Sequence, residues 1–255
     1  ADEVSFEGIP GVMIAADTIS VALNKASADG RVVDYASRGL DIQTGVATSM
    51  TLDMDGSRGE LLEASGDLDI DLFGFFTVNG SFAFEKSIDQ VILSDESVVS
   101  VNKLTLGGSD VNAFVGLNSG TPEAVGFGLQ SMDFALAILS ENSVDEGDTV
   151  RSWTTLKANA SGAGFEGIDD VVISGDTLTV AINRAASDGT LVDYTNRNLD
   201  VRTGTTSTLA LDLDGSRGEL LEISGNLSIN LFGFFIVTGG FAFSKSSGSI
   251  TLSDT

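Results

Sequence analysis

Two identical corners carry the side chains best placed to do chemistry in this sequence. The nine letters DGSRGELLE occur at residues 55–63 and again, unaltered, at residues 214–222. Three acidic positions recur around each copy: Asp53, Asp55 and Glu60 in the first, and Asp212, Asp214 and Glu219 in the second. Carboxylate oxygens arranged around a loop are ligands that calcium accepts. The pattern therefore permits a weak calcium site at each corner.

The same letters also predict a turn. Asp-Gly after an alternating strand is a strong hairpin signal, because glycine adopts positive φ without a steric penalty. Leu52 and Met54 alternate with Asp53 and Asp55, and Arg58 is close enough to pair with Asp53, Asp55 or Glu60. The spacing matches neither an EF-hand nor the nine-residue glycine-rich calcium repeat. A structural turn, a weak calcium site and a partner contact remain open at this point.

A second acidic pattern is better explained as the solvent-exposed face of a sheet. Asp67, Asp69 and Asp71 alternate with apolar residues, which places them on one side of a strand, about 7 Å apart. The corresponding positions of the second copy are Asn226, Ser228 and Asn230. A row of calcium ligands would not keep its charge through this exchange, whereas a solvated face accepts all of these residue types.

Composition excludes several kinds of chemistry. The chain of 255 residues contains no His and no Cys, which excludes disulfides, Cys/His zinc sites and catalysis by histidine or a thiolate. Thirteen Lys and Arg stand against 37 Asp and Glu, for a net charge of −24. That field repels nucleic acid and anionic lipid and attracts cations, including divalent ones.

A long internal repeat dominates the organisation of the chain. Residues 6–95 match residues 165–254 at more than half of their positions, at a constant offset of 159 and without a gap. We therefore divide the chain into a first repeat block (1–95), a middle β segment with no internal partner (96–164) and a second repeat block (165–255). Repeats cut at both ends are expected of a segment from a longer array, and the start, ADEVSFEG, is expected to be such a cut end.

Alternating apolar and polar residues predict an all-β fold. Val21 and Leu23 alternate with small or polar residues, as do Leu68, Ile70 and Leu72, and no window keeps a helical period. Four segments, 75–84, 104–115, 127–138 and 171–183, each suggest two strands that meet at a Gly, Ser or Asp corner. We expect extended antiparallel sheets, sandwich or groove-like, with a β-solenoid as the alternative.

The aromatic run LFGFF, at 72–76 and again at 231–235, is apolar on both of its alternating faces. This pattern predicts a strand that is covered on both sides. The alternatives are an apolar groove or a subunit interface.

Nothing in the sequence points to an enzyme. Catalysis by a pair of carboxylates, as in glycosidases, would be expected to come with aromatic platforms that stack on sugars. The chain has one Trp and two Tyr, and the candidate carboxylates of the repeat blocks occur twice, as turns and faces do. The longest apolar runs are far shorter than the ~20 residues that span a membrane as a helix.

The amino-acid sequence of the repeat resembles that of a known kind of protein. LTLGGSDVNAFVG (104–116), AVGFGLQSMDFALAIL (124–139) and WTTLKANASG (153–162) are similar to a long unit iterated in giant exported proteins of Gram-negative, often marine, bacteria. Such units accompany calcium-binding RTX-type repeats and adhesin modules. The resemblance implies secretion or a cell-surface location, and it supplies no catalytic motif.

Two functions follow as expectations. The first is a structural or adhesive repeat module, a spacer or the protomer of an extracellular assembly such as a filament. Calcium is its candidate stabilising ion, and like units or copies of itself are its expected partners. The second is a binding protein whose sheet forms an apolar groove for a lipid or another hydrophobic ligand.

Overall fold

The computed structural model describes residues 4–6, 10–142 and 149–247, and these residues form strands and turns without an α-helix. The strands are β1 (Val4–Phe6), β2 (Val12–Asn24), β3 (Leu40–Gln43), β4 (Ser49–Leu52), β5 (Leu61–Leu72), β6 (Phe76–Ile92), β7 (Val98–Leu117), β8 (Val125–Glu141), β9 (Ser152–Glu166), β10 (Val171–Arg184), β11 (Leu199–Arg202), β12 (Thr208–Leu211), β13 (Leu220–Leu231) and β14 (Phe235–Ser246). The all-β prediction is confirmed.

One large antiparallel sheet of ten strands organises the molecule. Its order is β1-β2-β5-β6-β7-β8-β9-β10-β13-β14, so the long strands follow the chain as a meander. Two small hairpins, β3–β4 and β11–β12, stand apart from this order, each inserted between two neighbouring strands of the large sheet. Within the described residues there is no second large sheet, so the chain by itself is not a sandwich.

Equivalent elements occur in the two repeat blocks. The first hairpin, β3–β4, and the second hairpin, β11–β12, lie 159 residues apart, as do the short 3-10 turns Gly56–Arg58 and Gly215–Arg217. The last residues of the second block, 248–255, and parts of the chain start lie outside the described residues.

The predicted corners inside the four strand-corner-strand segments are wrong, because 104–115, 127–138 and 171–183 each lie within one long strand, and 76–84 lies within β6. Register shifts in the pairing of β2, β7, β8 and β10 show where these strands are irregular. Non-glycine residues with positive φ lie at the same level of the sheet: Thr18, Asp110, Ser131 and Thr177. An extra residue of this kind bends and twists a strand without ending it. The polar and glycine letters therefore indicated bulges rather than turns.

The run LFGFF is also not a buried strand. Phe73, Gly74 and Phe75 form the three-residue loop between β5 and β6, with positive φ at Phe73 and Gly74, and Phe75 N donates to Leu72 O over 3.0 Å. The reversal of the chain requires this turn, so the aromatic rings point outward and Phe73 is 68% exposed. The second copy repeats the loop, with Phe234 96% exposed.

The two faces of the large sheet differ in what covers them. The second hairpin packs on the face that carries Glu63, Glu85, Thr105 and Ala137, which are cross-strand neighbours on β5 to β8. We call this the hairpin face. The main core forms between this hairpin and the sheet, around Val101, Leu139, Trp153, Tyr194, Val201 and Leu211, all at most 2% exposed. The opposite face, the open face, has no such cover in the described residues.

Candidate functional site: the contact between hairpin and sheet

Each repeated corner is a capped 3-10 turn. The predicted hairpin is wrong, because β4 pairs with β3 while β5 pairs with β2 and β6, so the strands on either side of the corner are not partners. Asp55 Oδ1 accepts a hydrogen bond from Ser57 N at 2.8 Å, and Asp214 Oδ1 accepts one from Ser216 N at 2.8 Å. The turn ends at Gly59 and Gly218, whose φ of 67° and 76° favours glycine. Hydrogen bonds from the Ser57 side chain and backbone lower the pKa of Asp55. The carboxylates of Asp55 and Asp214 are therefore already used by the turn itself.

The other four carboxylates of the two corners share no partner with one another. Asp212 pairs with Lys157 at 2.9 Å, and Glu60 Oε2 accepts a hydrogen bond from Ala26 N at 3.4 Å. The side chains of Asp53 and Glu219 make no hydrogen bond or ion pair with other described residues. Across the described ranges, no three acidic side chains gather as potential metal ligands. Calcium at these corners stays a prediction from the sequence.

The arginine of the first corner reaches past its acidic neighbours. Arg58 Nη2 lies 3.0 Å from Glu63 Oε2 and 2.8 Å from Glu85 Oε2, so the expected pairing with Asp53, Asp55 or Glu60 is wrong. Both glutamates lie on the hairpin face, and both are only 8% exposed. Glu63 is the last letter of DGSRGELLE. The repeated stretch thus contributes a cation from its turn and a buried carboxylate from the strand that follows.

The second hairpin completes this ionic cluster from the other side. Arg202, at the end of β11, contacts Glu63, and Lys103 on β7 lies 3.1 Å from Glu85 Oε1. Glu63, Glu85, Lys103 and Arg202 could not be predicted from the sequence, because the pairs join residues that are distant in the chain. The repetition of Glu63 as Glu222 was a signal that could have pointed to it.

Backbone and side-chain hydrogen bonds fix the same contact. Trp153 on β9 is 1% exposed and donates from Nε1 to Thr190 O at 3.0 Å. Asn183 donates from Nδ2 to Val192 O at 3.0 Å, and the Tyr194 hydroxyl donates to Thr155 Oγ1 at 3.0 Å. Burial raises the pKa of Tyr194 to about 12, so this hydroxyl stays a donor at neutral pH. The second insertion, the segment 185–219 that contains the second hairpin, is therefore hydrogen-bonded to two strands of the large sheet, β9 and β10.

The equivalent apolar side chains in and around the first hairpin are exposed to solvent. Ile42 is 43% exposed where its counterpart Val201 is 1% exposed, and Val33 is 53% exposed where Val192 is 1% exposed. Met50 is also mainly exposed, at 62%. The strands of the two hairpins begin and end at equivalent residues of the repeat, and their sequences are similar. The difference is that strands β6 to β9 lie against the second hairpin and nothing in the described chain lies against the first.

Opposing effects set the ionisation of Glu85. Burial raises the pKa of its carboxyl, but Lys103, the Ser87 hydroxyl and Arg58 together outweigh burial, and the pKa lies below its ordinary value of 4.5. A carboxylate whose pKa is lower in the folded chain stabilises the fold above the unfolded pKa. That stabilisation is lost as the pH falls through the folded value.

We therefore expect Glu85→Gln to destabilise the protein at pH 7 by roughly 1.5–3 kcal/mol, the range for a hydrogen bond to a charged group. The variant should also lose less stability than the wild type between pH 5 and pH 3. Urea unfolding at several pH values measures both effects. Glu60→Gln, at an exposed position, is the matched control and should change neither. An unaltered pH dependence in Glu85→Gln would contradict the role assigned to this carboxylate.

Comparison with known proteins adds no relative. The chain matches no family model, no curated protein and no solved structure. Among the described residues, no helix has the length and apolar character needed to cross a membrane.

Proposed function

We propose that this chain is a structural repeat module in which the hairpin inserted in each unit covers the sheet strands of the unit before it. The observation that carries the proposal is the contrast between the two hairpins. The second is buried on β6 to β9, which precede its block, while the first presents the same apolar positions to solvent. No catalytic arrangement enters the proposal.

The first hairpin is already built for such a contact. Asn24 Nδ2 donates to Val33 O at 2.7 Å, as Asn183 does to Val192 in the second block. Tyr35 N donates to Met54 O at 2.9 Å, the counterpart of the bond from Tyr194 N to Leu213 O at 3.1 Å. The insertion therefore keeps its local hydrogen bonds and its attachment to β2. Only the opposing sheet surface is different.

The edges of the sheet are compatible with further units. β14 is the equivalent of β6, yet within the part of the chain that the structure describes β6 pairs on both sides and β14 pairs only with β13. From β2 to its equivalent β10 the sheet advances by six strands. At about 4.8 Å per strand, one unit would lengthen the sheet by about 29 Å. Stacked units would bury each other's ends, which is how repeat proteins gain stability.

The proposal extends to the cellular location of the module. A long acidic array without cysteine fits an exported or cell-surface spacer or filament, as the resemblance of the sequence implies. Divalent cations would act there by neutralising the acidic surface, with or without a specific site at the corners.

An extended chain tests the module directly. Residues 6–164 are placed once more ahead of Phe6, so that the original first hairpin follows a copy of β6 to β9. We expect amide hydrogen exchange at Leu40–Gln43 to slow to the rate of Leu199–Arg202, because the hairpin acquires its opposing strands. The second hairpin of the same chain is the internal standard.

A matched variant separates docking from a general gain in stability. In the extended chain, Trp153 has a counterpart in the added copy, opposite the original first hairpin. Replacing that added Trp with Ala should restore fast exchange at Leu40–Gln43 and leave Leu199–Arg202 protected. Fast exchange at Leu40–Gln43 in the unmodified extended chain would refute the proposal.

A further inference from the structure

The open face of the large sheet is apolar across its width. Near the insertions, one row of cross-strand neighbours runs over eight strands: Val21, Ala64, Phe84, Leu106, Leu136, Leu156, Ile182 and Leu221. Neither an Asp nor a Glu interrupts this row. Leu106 is 38% exposed and Val21 is 65% exposed. A sheet normally buries such a face against a second layer.

The same face stays apolar toward the other end of the strands. A second row consists of Val12, Leu72, Phe76, Val115, Phe127, Phe165, Ile173, Ile229 and Val237. The pairing of β5 with β6 is uninterrupted between the two rows, so both lie on one face. Between them lies a groove of about 280 Å³ whose walls include Leu68, Phe82 and Phe84.

The area of this face suits a stable protein contact. Eight strands at about 4.8 Å, with rows separated by eight or nine residues at about 3.3 Å, give on the order of 1,000 Å². A standard protein interface buries about 800 Å² on each partner. A second sheet of the same kind, packed at the usual ~10 Å, would therefore suffice to cover it.

The charges of the sheet are distributed along its strands. We call the end where the insertions attach the proximal end, and the end of the loops at 73–75, 118–124, 167–170 and 232–234 the distal end. All thirteen Lys and Arg residues lie in the proximal half or in the insertions. The distal loops and strand ends carry Glu123, Glu166, Asp169 and Asp170 without a cation among them.

Three of the cations border the open face. Lys86 is the cross-strand neighbour of Leu62 and Leu104, and Arg184 and Lys245 hold similar positions beside Thr154 and Leu221. All three are exposed, and none lies within 4.0 Å of a described carboxylate. Eight of the other ten cations do have such a partner. The proximal border of the open face is therefore apolar and positively charged, and the distal border is apolar and negatively charged.

We propose that two copies of this chain pack open face against open face, related by a twofold axis perpendicular to the strands. This axis reverses the strand direction, so the proximal end of each copy lies over the distal end of the other. Each strand then lies over its own counterpart, so Arg184 on β10 faces Asp169 and Asp170 in the loop before β10 of the second copy. Lys86 on β6 and Lys245 on β14 lie one to two strands, about 5–10 Å, from Glu123 and Asp170 of the second copy. The same surface serves both subunits, as twofold symmetry requires. The contact is independent of the hairpin face and of the proposed repeat module.

A lipid surface fits this face less well than a second copy does. The three cations would attract anionic head groups, but the distal border and the net charge of −24 would repel them. A second copy satisfies both borders at once. At 0.15 M salt the general repulsion between two acidic chains is screened within about 8 Å, while close ion pairs persist.

The test is the mass of the complete chain in solution. Light scattering after size exclusion, at roughly 100 µM protein and 0.15 M salt, should give a dimer of the 26.4 kDa chain. Leu106→Glu combined with Leu156→Glu places two charges in the middle of the first row and should give a monomer with unchanged far-UV circular dichroism. Val46→Glu, at a fully exposed hairpin tip, is the matched control and should remain dimeric.

A second variant keeps the test decisive if the first does not fold. Lys86→Glu with Lys245→Glu changes only exposed border residues and should weaken the dimer at least tenfold. A monomeric wild-type chain overturns the proposal, as does a dimer that survives in folded Leu106→Glu/Leu156→Glu. A dimer that is lost only on Ile236→Pro, a substitution in the edge strand β14 outside both open-face rows, also overturns it. Monomeric chain bound to phosphatidylglycerol vesicles would instead identify a lipid-binding face and overturn it too.

Discussion

Trp153→Ala is expected to cost about 3–5 kcal/mol of unfolding free energy, the largest loss for any single side chain in this protein. Trp153 is 1% exposed between β9 and the second insertion. Its removal leaves a cavity that the flanking strands cannot close, because they are held in the sheet on both sides. The Arg151 guanidinium, 5.3 Å from the centre of the ring, loses its aromatic neighbour as well.

Urea unfolding followed by far-UV circular dichroism measures this effect, since Trp153 is the only Trp of the chain and its fluorescence disappears with the substitution. Trp153→Phe is the control. It keeps much of the volume but leaves Thr190 O without its donor, so a loss of about 1–3 kcal/mol is expected. Equal losses in the two variants would mean that the hydrogen bond, rather than packing, accounts for the stability.

Leu211→Ala and Leu52→Ala should have very different effects although the two leucines are equivalent in the repeat. Leu211, at the end of β12 in the second hairpin, is 0% exposed, so truncation should cost about 2–5 kcal/mol. Leu52 is half-buried in the first hairpin, with no sheet opposite, and its truncation should cost about 1 kcal/mol or less. The same unfolding experiment measures both.

This pair has an internal control because residue type, substitution and local strand are the same. A difference of at least 2 kcal/mol measures the contribution of the opposing strands alone. Similar losses in both variants would show that the first hairpin has a packed environment comparable to that of the second. That result would contradict the contrast on which the proposed module depends.

The sequence predicted the features that local chemistry determines. Alternation around Val21 and Leu68 predicted strands, and the Asp-Gly pair predicted a tight corner, because both depend on neighbouring residues only. Phe73 was misassigned because an apolar run of five letters fits a buried strand and an exposed hairpin loop equally well. The bulge at Asp110 was taken for a corner, since polar and glycine letters interrupt a strand in the same way as they end it.

The candidate site could not have been read from local sequence. Arg202 and Glu63 are brought together by the return of the second insertion across several strands, and no spacing rule encodes that path. Leu52 and Leu211 make the point most directly. Their neighbours in sequence are nearly the same, and only the surface opposite each hairpin decides which leucine is buried.

The meander has a mechanical consequence. The sheet begins at β1 and ends at β14 on opposite edges, so tension applied to the two edges pulls across the strands and loads the hydrogen-bonded pairs one after another. A sheet loaded in this way opens at low force, because the hydrogen bonds break in succession rather than all at once. The second insertion leaves the sheet at β10 and grips as far as β6, four strands or about 19 Å away. It acts as a strap along the direction of pull, and the strands beneath it should be the last to separate.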